Sequence, residues 1–109
     1  MWVSHLRKNG YEVSTEILGG DVINEVRRAN SIGPALNGCH LAKADGYFIE
    51  GHVPAGDIAR MLEEKPDIAG LSVPGMVPGS PGMSGPPQPY RVLAFDEGGH
   101  VTEVYARYR

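Results

Sequence analysis

Apolar residues recur along this chain in two periods, and the switches between them mark out its elements. Trp2, Val3 and Leu6 share one side of a short helix over residues 2–9, with Gly10 as its C-terminal stop. Residues 11–17 alternate, with Tyr11, Val13, Thr15 and Ile17 on one side, as a strand with one covered face does. Val22, Ile23 and Val26 return to helical spacing, and Asp21 is placed to cap that helix, which runs to Ala29. After Gly33-Pro34 breaks the chain, Leu41, Ala42 and Ala44 lead into Asp45-Gly46, the pair that best tolerates positive φ in a type I′ turn. Tyr47, Phe48 and Ile49 return from it as strand formers. Val53-Pro54 ends the extended run and Pro54 opens a helix to Glu64, with Ile58, Met61 and Leu62 as its apolar stripe and Pro66 closing it. Residues 90–95 and 101–105 form a second hairpin around Glu97-Gly98-Gly99.

Between these elements the texture changes once. Seven of the nine prolines fall in residues 66–89, which therefore read as a long Pro/Gly-rich loop. Leu71, Val73 and Val77 give that loop something to bury, so it is expected to be ordered and draped over the core. Helices alternating with strands make the expected class α/β, with two β-hairpins and about three helices in one domain over residues 1–109.

Composition narrows the function. A net charge of −3 without a basic block disfavours a nucleic-acid partner. No run is long and apolar enough for a membrane span, and no signal-peptide core opens the chain. A single cysteine, Cys39, excludes an intramolecular disulfide. The glycine-rich loop lacks the lysine and hydroxyl residue of a phosphate-binding loop, and no nucleophile–base–orienter set emerges, so no enzyme is expected.

Metal ligation is the chemistry the residues offer. Cys39 adjoins His40 at one end of the first hairpin, and His52 stands at the other, so the hairpin can bring them together. A thiolate beside imidazoles suits Cu(I), and zinc accepts the same ligands; the plain alternative is a buried, inert thiol. In regular strand Cys39 and His40 would face opposite ways, so sharing an ion requires a bend, which Gly38 permits. His52 could equally serve as a capping or hydrogen-bonding residue at the strand-to-helix junction. Met76 and Met83, each in a Pro-Gly-Met context, carry thioethers that ligate Cu(I) or simply fill gaps in the core. Asp57 is accounted for by the helix dipole, and Glu50 has no carboxylate partner at useful spacing. His5 and His100 are expected to be exposed, and Trp2 to pack under the sheet.

The segments GYFIEGHVPAGDI, GLSVPGM, GSPGM, PYRVLAF and VYARY resemble the domain of unknown function 411, a family of predicted metal-binding proteins. It includes CopG-like copper-resistance proteins of bacterial periplasms. The resemblance implies a thioredoxin-like fold, Cu(I) as the bound ion and a periplasmic location. It also implies a first, central strand leading to a Cys-x-Cys-Cys segment just ahead of the residues matched by Trp2-Val3. Neither has a counterpart here, and Gly38-Cys39-His40-Leu41 stands where the family carries Ser-Cys-His-Thr.

The expectation is therefore a non-enzymatic Cu(I)-binding domain with a depleted ligand set: Cys39, His40, His52, Met76 and Met83. The rival expectations are a monothiol redox protein of the same fold and a scaffold that binds no metal. A chain truncated before its central strand would leave strand 11–17 unpaired, a vacancy that a second copy could fill as a homo-oligomer.

Overall fold

Asp45 and Gly46 both adopt positive φ, 48° and 87°, as a type I′ turn requires. They join β1 (Leu41–Ala44) to β2 (Tyr47–Glu50), with Ala44 opposite Tyr47 and Leu41 opposite Glu50. The structure, a computed structural model, describes residues 2–15, 19–33, 36–37, 40–74 and 88–108. The described residues form a mixed α/β domain with three helices, α1 (Trp2–Lys8), α2 (Gly20–Ala29) and α3 (Ala55–Glu64). Its five strands are completed by β3 (Gly70–Ser72), β4 (Tyr90–Phe95) and β5 (Val101–Tyr108).

The sheet order is β1-β2-β3-β4-β5, with β2 and β3 parallel and every other pair antiparallel. Parallel neighbours need a crossover, and α3 supplies it between β2 and β3. Pro54 caps α3 in an extended conformation, and Lys65 ends it in the left-handed region with its N–H on the Met61 carbonyl. Alternation along the strands separates two cores. Ile49, Leu71, Val92 and Ala94 meet Trp2 and Leu6 of α1 and Ile58 and Met61 of α3. Phe48 and Phe95 face the other way, onto Ile32 and Leu36. β5 is tied to α3 through Arg60, whose guanidinium lies 3.7 Å from the Tyr105 ring centroid, and through Tyr108, whose hydroxyl donates to Asp57.

Three sequence expectations need correction. Residues 11–15 are not a strand; the Tyr11 N–H bonds to the Leu6 carbonyl and the Val13 carbonyl accepts from Arg7 Nη2. The alternation there reflects Tyr11 and Val13 packing on the core from one side, with backbone groups turned to α1. The unpaired strand over 11–17 is thus not found in residues 11–15, and residues 16–18 lie outside the described ones. Gly19, not Asp21, is the N-cap of α2, and Asp21 sits within the first turn. Finally, the stretch read as one loop over 66–89 contains β3, a buried strand in the middle of the sheet. Three residues are too short to display a period, and the glycine that opens β3 disguises it. Residues 75–87, the remainder of that loop, lie outside the described residues.

Gly70 is required there by space. A Cβ at this position would lie 2.0 Å from the Phe48 carbonyl oxygen and 2.9 Å from Phe95 Cζ. Gly70→Ala should destabilise the protein by about 3 kcal/mol in urea unfolding, because backbone must move to admit the methyl. Gly56→Ala, on the exposed side of α3 with open space around it, should instead be neutral or stabilising by up to about 1 kcal/mol.

Candidate metal centre

Two backbone features converge on one spot. His40 immediately precedes β1, and its carbonyl accepts the Gly51 N–H at 2.9 Å, which extends the hairpin beyond its regular pairs. Gly51 then takes φ 76°, and Val53 N–H folds back to the Gly51 carbonyl. This bend turns His52 out of the β2 line and lays its imidazole on that of His40, with centroids 4.8 Å apart and planes inclined by 24°. The Trp2 ring also lies against His40, with centroids 4.5 Å apart and planes tilted by 35°, and its indole N–H donates to the Val53 carbonyl at 2.6 Å.

His40 is half-buried and its two ring neighbours are buried. Trp2 and His52 are 4% and 6% exposed, and Nε2 of His40 is buried with no hydrogen-bond partner among the described residues. Burial, the neighbouring His52 and the Arg27 guanidinium together push His40 down to about 4, against a smaller opposing effect of its own backbone hydrogen bond. At neutral pH His40 is uncharged, the form in which an imidazole ligates a metal. Rings so nearly parallel hold their in-plane lone pairs in nearly parallel, offset planes. Both reach a single ion only if one ring turns, whereas each can hold an ion of its own.

Of the five sequence-derived candidates, His40 and His52 are brought together; Cys39, Met76 and Met83 lie outside the described residues. Among the described residues no group of three or more His, Cys, Asp or Glu stands at metal-holding distance. The donors that are seen are of a kind copper takes: two imidazoles, that of His40 neutral and with a buried nitrogen left over.

Sequence reasoning missed the polar supports. Glu50, fully buried, receives Arg27 Nε at 2.7 Å and Nη2 at 2.9 Å, a two-pronged pair with a cation rather than with another carboxylate. The signal was a glutamate closing an otherwise apolar strand. His5 is also not idle: its Nε2 accepts the Ala55 N–H at 3.0 Å and so caps α3, a role considered for His52. Burial lowers the His5 pKa. Asp57 is buried and takes the Tyr108 hydroxyl, so the helix dipole is not its whole account; burial and then this bond raise the Tyr108 pKa. His100 is exposed, as expected.

Comparison with known proteins gives this five-stranded α/β domain a family. The family model described as "Protein of unknown function, DUF411" matches residues 36–83. Two solved structures of copper resistance protein CopG are similar throughout. Form 2 is 37% identical with a TM-score of 0.85, covering 99% of this chain and 86% of that one. Form 1 is 36% identical with a TM-score of 0.87, covering 98% and 84%. No curated protein sequence matches. The chain belongs to the DUF411, CopG-like family.

Removing one member of the buried ion pair strands the other charge, so Arg27→Ala should cost about 3 kcal/mol or more in chemical denaturation. Arg28→Ala, which breaks only the exposed contact to Glu25, should change stability by less than about 0.5 kcal/mol. A second expectation concerns pH. The unfolded chain protonates His40 near 6.5 and the folded one only near 4. The stability this group contributes is therefore complete above pH 6.5 and lost as pH falls toward 4. His40→Phe should flatten that part of the urea-midpoint profile relative to wild type.

Proposed function

We propose that this chain is a non-enzymatic copper-handling protein that binds Cu(I) at the His40–His52 pair. Cys39, next to His40 in the sequence, is the candidate thiolate donor, and Met76 and Met83 are the candidate thioether donors. The observation that carries this reading is the buried nitrogen of a neutral His40, held without a hydrogen-bond partner among the described residues. A buried polar atom left in that condition is costly unless it serves a ligand. A relative of the same fold, solved in two forms, is named for copper resistance, which supports copper over zinc as the ion.

The chemistry required of the residues is coordination, not turnover. Imidazole, thiolate and thioether are soft or borderline donors suited to Cu(I), and the fold sets their separation. Arg27 and Glu50 anchor β2 on one side while Trp2 closes the other, so His40 and His52 meet the ion without rebuilding the backbone. The parallel β2–β3 pair with its α3 crossover and the antiparallel β4 supports a thioredoxin-like arrangement. No helix among the described residues is long and apolar enough to cross a membrane. The resemblance supports a periplasmic site of action. Thiol–disulfide exchange would need a second thiol from elsewhere, because Cys39 is the one cysteine in this sequence.

An anaerobic Cu(I) titration against a competing chelator tests the proposal. Cys39→Ser and His40→Ala should each weaken binding by tenfold or more, and Met83→Leu by less. Affinities unchanged in both of the first two variants would remove this centre from consideration.

A further inference from the structure

We propose that His5 makes the docking of α1 a pH-sensitive latch: its neutral imidazole holds the start of α3, and its protonation in acid loosens α1, with the Trp2 it carries, from the bend at residues 51–53. The latch operates whether or not the His40–His52 pair binds a metal. α3 begins without a cap of its own, because Pro54 at the N-cap position has no side-chain group to accept the free N–H donors of the first turn. The acceptor comes from another helix. Nε2 of His5, in the middle of α1, takes the Ala55 N–H at 3.0 Å. α1 makes a second polar attachment two residues upstream, where the Trp2 indole N–H donates to the Val53 carbonyl. Of these two bonds, only the one made by His5 requires an unprotonated group.

Protonation of His5 acts twice against docking. An imidazolium carries hydrogen on both nitrogens, so Nε2 no longer accepts from Ala55 and two donors are set facing each other. The cation also stands at the positive end of the α3 dipole, where an anion is favoured. Among the described residues no carboxylate forms an ion pair with His5 to offset this. On α3 the acidic group of the first turn is Asp57, which already takes the Tyr108 hydroxyl. On α1 the charged neighbours, Arg7 and Lys8, are basic, and the bend contributes the imidazole of His52 with His40 stacked on it. Burial, and to a smaller extent the positive amino terminus, lower the His5 pKa, as expected where the neutral form is the one held. The folded state thus has the lower pKa, so the stability from His5 is complete above the ordinary 6.5 and lost as pH falls through the folded value. Trp2 and Leu6 keep their attraction for the core at any pH, so acid raises the population of undocked α1 without unfolding the domain.

Amide hydrogen exchange, corrected for the intrinsic pH dependence of exchange, measures that population. A seven-residue helix does not persist alone in water, so undocking leaves the amides of α1 unprotected. From about pH 8 to about pH 5, where histidine is the ordinary side chain that changes charge, the opening constant of α1 and Ala55 should rise threefold or more in wild type. His5→Gln, whose amide oxygen accepts the Ala55 N–H at every pH, should stay closed throughout. His5→Ala should be as open at the upper pH as wild type is in acid. His40 and His52 are present in every variant and cancel from the comparison. A wild-type slope in either variant, or no slope in wild type, overturns the latch. Should His5→Ala not fold by circular dichroism, His5→Gln decides together with an NMR titration of wild type. There the His5 ring and the Ala55 amide should share one midpoint below 6.5; separate midpoints, or a shared one at or above that value, overturn the proposal.

Discussion

Strand β2 is buried on both of its faces, and the rest of the molecule is arranged around what its four residues demand. Period-two alternation sends Tyr47 and Ile49 into the core formed with α1 and α3, and Phe48 and Glu50 to the side of α2. An ion at the second of those positions must be paired, and Arg27 does so from a helix that has no fully buried residue of its own. The attachment of α2 is thus largely polar and directional. On the opposite side, the bend at Gly51 converts the end of the same strand into the platform for His52. Core, helix docking and candidate centre all descend from one short segment.

Much of this architecture was legible in sequence because it is carried by residues with strong local preferences. Asp45-Gly46, the α3 stripe between Pro54 and Pro66, and the terminal hairpin with Asp96 Oδ1 accepting the Gly98 and His100 N–H groups all announce themselves. What escaped was nonlocal. β3 is a strand only because β2 and β4 flank it, and Gly70 looks like a loop residue until Phe48 and Phe95 close over it. Residues 11–15 failed in the opposite sense: the right period, but with backbone partners already taken by α1. His40 and His52 could be nominated from the hairpin between them. Their stacking, the Trp2 ring against His40, and the burial and neighbouring charge that keep His40 neutral are contacts between residues far apart in the chain.

The proposed copper site and fold stability draw here on overlapping groups. The feature that suits His40 to a soft ion, an imidazole kept uncharged, is also one that makes the native state sensitive to acid. A ligand for that nitrogen would relieve the strain of leaving it unsatisfied and stabilise the folded chain by mass action. Binding and folding in this domain are therefore thermodynamically linked even where the backbone already has its final form.

The antiparallel neighbours β3 and β4 are joined through residues 73–89, a long connection for adjacent strands. The entropy of loop closure depends only weakly on length, each doubling adding about 0.6 kcal/mol. The pairing of Leu71 with Ala94 consequently places little restriction on how many residues lie between them. Evolution is free to lengthen, shorten or recompose that connection for reasons unrelated to holding the sheet together, and its Pro-Gly-Met repetition is best sought among such reasons.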